Sequence, residues 1–205
     1  MSHQFDPGAL TDPAMIRLLS SPMRQELMDT LAAIGGEASV ATLAEELGRP
    51  ADGLYYHLRA LAAAGLICEV PADDNGDRRY RLASHDGGPI RLAYDLRPNG
   101  NAAELRNFAH GLMQIAERDF QDALGRVNAV VSGPKRELWA SRNKGWLSDS
   151  DLTEVNTLLE RLSELTSQPK EEGKNHLVSL VFSLAPIDPR PKRRASRKAR
   201  KGPVS

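Results

Sequence analysis

Residues 41–67 read ATLAEELGRPADGLYYHLRALAAAGLI, and the fold turns on how this stretch is divided. Leu43, Ala44 and Leu47 lie three and four residues apart, so they share one face of a short helix. Gly48 follows where a helix end favours a left-handed residue. Pro50 and Asp52 carry the chemistry of a new first turn. Leu54, Leu58 and Leu61 then repeat at helical spacing until Gly65, and Leu66 to Val70 looks strand-like. A short helix, a tight turn and a longer helix is the spacing of a helix-turn-helix, although amphipathic helices alone would also suit a plain helical hairpin.

The sequence beyond Val70 favours the first reading. Asp73-Asp74-Asn75-Gly76-Asp77 is a turn cluster built on Asn-Gly, a strong hairpin signal. Arg78 to Leu82 alternates on its far side, with Tyr80 and Leu82 on one face and Arg79 and Arg81 on the other. The second helix therefore runs into a two-stranded ribbon, which makes the motif a winged helix-turn-helix. Upstream, Thr11 to Ser20 predicts a short helix with Met15, Leu18 and Leu19 apolar. Ser21 and Pro22 then open another, burying Leu27, Met28, Leu31 and Ile34 and stopped by Gly35-Gly36. Glu37 to Val40 predicts a short strand pairing with the wing.

Downstream, Ala102 to Asn128 predicts a long helix. Its stripe of Leu105, Phe108, Leu112, Ile115, Ala116, Phe120, Ala123, Leu124 and Val127 needs a partner. A second copy is the economical one, given the two-fold symmetry of such DNA readers. Leu138 to Arg142 and Gly145 to Leu147 read as strands. Ser148 and Asp151 read as a capping box opening a helix whose buried face is Leu152, Val155, Leu158, Leu159, Leu162 and Leu165. His176 to Leu184 is the strongest strand pattern in the chain. The expected fold class is mainly α with small β. A winged helix-turn-helix domain is followed by a long dimerisation helix and a small α+β C-terminal region. The divisions are a flexible N-terminus (1–10), the DNA-binding domain (11–84) and a linker (85–101) with Leu96 to Pro98 extended. After these come the dimerisation and effector region (102–185) and a disordered basic tail (186–205).

Composition narrows the classes further. The 205 residues carry no formal net charge, but residues 1–90 hold seven Lys/Arg against thirteen Asp/Glu, whereas 186–205 hold eight against one. An acidic reading domain opposes DNA affinity, since phosphate neutralisation dominates it, so dimerisation and local basic groups must compensate. The tail supplies salt-sensitive attraction to nucleic acid, or else merely solubilises. One cysteine, Cys68, forbids an internal disulfide and suits a reducing cytoplasm. No apolar run reaches the ~20 residues of a membrane helix, and the N-terminus lacks the pattern of a signal peptide. Phosphate-cradling glycine loops, His-x-x-x-His and nucleophile elbows are missing, so no enzyme and no cofactor is expected.

Residues Leu18 to Leu82 resemble the ArsR-type winged helix-turn-helix regulators of bacteria. The resemblance rests on LLSSPMRQELMDTL, on VATLAEELGRPADGLYYHLRALAAAGLI and on DRRYRLAS in the wing. It implies a homodimeric transcriptional regulator of double-stranded DNA, often a repressor released by a signal. It does not imply metal sensing. The first motif helix lacks a cysteine pair, His110 stands seven residues from Glu117, and Cys68 cannot build a thiolate site alone.

With Leu54 pointing inward, 100° per residue puts Asp52, Tyr56, Arg59 and Ala63 on the outer face. Arg59 can offer its fork to guanine or to phosphate. Tyr55 and Tyr56 can donate to phosphates, or pack partly into the core. His57 is either a satisfied buried histidine or a phosphate donor. Thr42 and Arg49 flank the groove entrance, or are solvated surface. Arg78 and Arg79 can reach a minor groove or phosphate, while Arg81 can pair with acidic neighbours. The competing reading is a winged-helix module that meets protein rather than DNA. Trp139 and Trp146 are candidate walls of a small-molecule effector pocket, or core residues.

Overall fold

Leucines at helical spacing, cut by Pro, Gly and Ser, give the order of elements in the computed structural model, which describes residues 9–72, 76–83 and 91–188. Three helices precede the turn: α1 (Pro13–Leu19), α2 (Pro22–Ala33) and α3 (Val40–Glu46), with strand β1 (Glu37–Ser39) between the last two. Asp12 caps α1 by accepting from the Ala14 N–H. Ser21 holds the N-cap position of α2 ahead of Pro22 but makes no side-chain capping bond. Gly35 and Gly36 both have positive φ, and the Gly36 N–H donates to Leu31 O, ending α2 as expected.

Helix α4 (Ala51–Ala63) follows the turn, then β2 (Ile67–Val70) and β3 (Arg79–Leu82). The sheet order is β1-β3-β2, antiparallel throughout, with Ala38 and Glu69 both opposite Tyr80. The predicted alternation holds, because Tyr80 and Leu82 are buried while Arg81 is exposed. Residues 73–75, which include the Asn of the expected Asn-Gly turn, lie outside the described residues; Gly76 has φ +80°. Ile16, Leu19, Leu27, Leu31, Leu43, Leu54, Leu58, Leu61 and Ile67 form one core under the sheet. Each such side chain contributes about 1.5–3 kcal/mol on burial.

The segment expected to be a linker is tied down where it is described. Leu10 and Leu92 form a parallel bridge, with Leu10 N–H donating to Arg91 O and Ala93 N–H to Leu10 O. Leu10 is thus anchored rather than loose, and residues 1–8 and 84–90 lie outside the described residues. Asn101, buried, donates to Ala93 O at 2.8 Å and accepts from the Asp95 N–H at 2.9 Å. Leu96 to Pro98 is not simply extended. The Gly100 N–H reaches back to Arg97 O, and Asn99 takes φ +67°, closing a turn.

Helix α5 (Ala102–Leu124) ends at Leu124, four residues before the predicted end, with Gly125 as its C-cap. Its stripe divides in two. Leu105, Phe108, Leu112 and Ile115 face α1 and α2 of the same chain, so this half is not free for a partner. Leu124 and Val127 stand exposed. Arg17–Glu104 (2.7 Å) and Arg118–Glu26 (2.7 Å) clamp α5 onto α1 and α2.

The C-terminal region departs most from expectation. Helix α6 (Asp149–Thr166) opens on the capping box formed by Ser148 and Asp151. Its apolar face is open within one chain, with Leu152, Leu158, Leu162 and Leu165 exposed. Residues 138–142, 145–147 and 176–184 carry strand-like patterns but join no ladder among the described residues, so no α+β appendage forms. Alternation makes a segment competent for a sheet, but the hydrogen bonds must come from a neighbouring strand, and among the described residues none pairs with these segments. Residues 189–205, most of the basic tail, lie outside the described residues.

Candidate nucleic-acid interface

Helix α4 owes its position to both ends of the turn. Gly48 takes φ +59°, and the Arg49 N–H returns to Ala44 O at 2.9 Å, reversing the chain in a few residues. Leu54, Leu58 and Leu61 then fix the inner face against the core, which forces Asp52, Tyr56, Arg59 and Ala63 outward. All four are exposed, as the helical arithmetic predicts.

Arg59 and Arg49 are exposed and have no partner among the described residues. Thr42 is exposed as well, but its hydroxyl lies 3.0 Å from Ser39 Oγ, and Ser39 caps α3 by accepting from the Thr42 N–H. Tyr55 is half-buried and packs against the core, so its ring serves the fold. Tyr56 is 69% exposed, its ring edge-on to His57 at 5.3 Å.

His57 is half-buried, and its Nδ1 is enclosed without a hydrogen-bond partner among the described residues. Burial, and secondarily the Arg24 guanidinium, holds its pKa below the ordinary histidine value. The ring is therefore neither a satisfied core histidine nor a ready cation; it leans toward the neutral form.

Two residues of this surface escape sequence reasoning. Arg24, on α2, donates from Nη1 to Leu18 O at 3.1 Å and sets its guanidinium 5.8 Å from the Tyr56 ring centre. It thereby brings a cation from outside the motif up to α4. Only the packing of α2 across α4 places it there. Gly53 sits in the first turn of α4, where an added Cβ would meet nothing within 4 Å. The fold does not need a glycine at that point.

The wing is more compensated than its arginines suggest. Arg79 pairs with Glu37 on β1 at 2.8 Å, and Arg81 lies 3.9 Å from the same carboxylate. Arg78 approaches Glu69 at 3.8 Å. The register explains this, since Glu37 faces Arg81 across the ladder. The Val40 N–H donates to Arg78 O, tying wing and motif into one unit.

Trp139 and Trp146 are 66% and 90% exposed, so within one chain they neither wall a pocket nor pack in a core. Trp139 carries the Arg136 guanidinium over its ring at 3.8 Å. Among the described residues no cluster of His, Cys, Asp or Glu could hold a metal ion, and no helix is long and apolar enough to cross a membrane.

The family of helix-turn-helix domains matches residues 19–70, from the end of α1 through β2. No curated protein matches the chain. The N-terminal unit is thus a helix-turn-helix domain of the kind found in transcription regulators, and regulation through DNA binding is the activity it suggests.

Proposed function

We propose that the protein is a homodimeric, sequence-specific transcriptional regulator of the ArsR type without a metal site, acting as a repressor. Residues 51–64 enter the major groove, and residues 73–80 lie on the adjacent backbone or minor groove. The observation that carries this reading is the outer face of α4. Arg59 and Tyr56 project from a helix held rigidly by three buried leucines, and the Arg59 guanidinium is already free of intramolecular partners among the described residues. Arg59 reads a base edge. Tyr56, Arg49 and Thr42 position the helix on phosphate, with Asp52 and His57 at the rim, Tyr55 bracing from behind and Arg24 adding charge beside Tyr56. Arg78 and Arg79 contribute to the extent that DNA phosphate displaces Glu69 and Glu37.

One observation favours the other reading, a protein-interaction module. The wing cations are paired with carboxylates, and residues 1–90 are acidic overall. An anisotropy titration against the promoter of the protein's own gene, at several salt concentrations, separates the two. The DNA reader gives a specific shift below micromolar that weakens with salt, and Arg59→Ala reduces it roughly tenfold or more. Absence of a specific shift, with Arg59→Ala indistinguishable from the parent, would favour the protein module.

A further inference from the structure

The chain exposes 16419 Å² for a mass of 22.4 kDa, whereas a compact monomer of that mass exposes about 9,400 Å². The 35 residues outside the described ones do not account for the excess. Granting each of them an unfolded-chain share of about 160 Å² leaves the rest roughly 2,600 Å² above a compact chain of their size. One copy's share of an obligate dimer interface is about 1,000–2,500 Å². The exposed apolar residues concentrate after α5, including Trp146, Leu158, Leu165 and Leu177.

Charge tells which surfaces meet. Helix α6 carries Asp149, Asp151, Glu154, Glu160 and Glu164 against Arg161 alone. The segment before it, residues 135–147, carries Lys135, Arg136, Arg142 and Lys144 against Glu137. Glu137 is already engaged, accepting from the Val130 N–H at 3.0 Å and lying 3.0 Å from His176 Nδ1. Arg142 and Lys144 are exposed and have no partner among the described residues.

The arm cannot satisfy its own helix. It runs without a turn from residue 136 to Ser148, the N-cap of α6, so no residues are left over to reverse the chain onto that face. A second copy meets no such restriction. We propose that the basic arm of each copy lies along the acidic, leucine-faced α6 of the other, a reciprocal exchange distinct from any contact through α5. It rests on the homodimer reading above and adds the surface that closes the dimer. At 100° per residue Glu154 borders the leucine stripe and Glu160 lies on the polar face behind it; beyond the first turn Glu164 pairs with Arg161, which leaves Glu154 and Glu160 as the partners of Arg142 and Lys144.

Sedimentation of three full-length proteins tests the exchange: the parent, R142E/K144E and E154K/E160K. The parent is expected at twice 22.4 kDa and each variant at one chain, with an equimolar mixture of the variants returning to two. That rescue arises only in trans, because the mixed dimer restores opposite charges on both sides. If the variants stay two-chain, the exchange is overturned and the α5 dimer stands. A single-chain parent overturns both. A mixture that stays single-chain overturns pairing between copies. A chain ending at Asp188 is expected to remain two-chain; its loss would assign α6 to the basic tail and overturn the arm.

Discussion

Arg59 and Arg79 carry the same charge and differ in what holds them. Arg79 pairs diagonally with Glu37, which the register sets opposite Arg81, so a ligand must first break a 2.8 Å ion pair; Arg59 has no such pair to break among the described residues. Gly53 presents the complementary case, a residue whose identity the fold does not require. A glycine in a helix interior costs about 1 kcal/mol relative to alanine, an upper bound for Gly53 in the first turn of α4, and here an added Cβ meets open space. Gly53→Ala is therefore expected to raise Tm, by up to about 2–4 °C. If the α4 backbone approaches DNA closely there, the same change weakens operator binding severalfold. Unchanged affinity with raised Tm would place Gly53 outside the interface. At this scale the sequence was informative wherever helical phase decides exposure, as for Asp52, Tyr56 and Arg59. It did not reveal Arg24, which belongs to another helix and reaches Tyr56 only through packing.

Among the elements, α2 and α5 meet along a seam that is both tight and charged. An added Cβ at Gly111 would lie 2.9 Å from Ser20 O and 3.0 Å from Gln25 Nε2, the same nitrogen that donates to Leu19 O at 2.6 Å. Gly111→Ala is expected to destabilise by about 1–3 kcal/mol, read as a lowered denaturant midpoint. No shift in midpoint would mean that α5 can slide at little cost. Beside this contact, Arg118 binds Glu26 through two hydrogen bonds and Asp119 through a third. Asp29 is exposed on the surface of α2. Even so, the crowding of the seam desolvates its carboxyl, and with the charges of Glu26 and Asp119 this pushes its pKa up to about 6 from an ordinary 3.8. Between those two values the folded chain binds more protons at this site than the unfolded chain. Its contribution to stability therefore falls as pH rises from about 4 to 6. Asp29→Asn should flatten that slope and stabilise the protein at neutral pH. Unfolding curves at pH 4, 5, 6 and 7 check it, and an unaltered slope would refute the assignment.

For the whole molecule, the acidic balance of residues 1–90 and the basic balance of 186–205 set how affinity responds to salt. Removing Pro189 to Ser205 deletes eight basic residues and should flatten the dependence of log K on log salt while leaving sequence preference intact. Loss of preference as well would make the tail a reader of sequence. The helix-turn-helix, its third strand and the α6 capping box are all legible in the amino-acid sequence, because each follows from local rules. Helical phase, left-handed glycines and side-chain caps need only neighbours in sequence. The tertiary structure decided what depends on distant partners. It turned half of the α5 stripe inward onto α1 and α2, anchored Leu10 through Leu92 and neutralised the wing against Glu37. It also left residues 138–147 and 176–184 outside any ladder among the described residues, since a strand pattern specifies an appetite for hydrogen bonds and only a neighbouring strand can supply them.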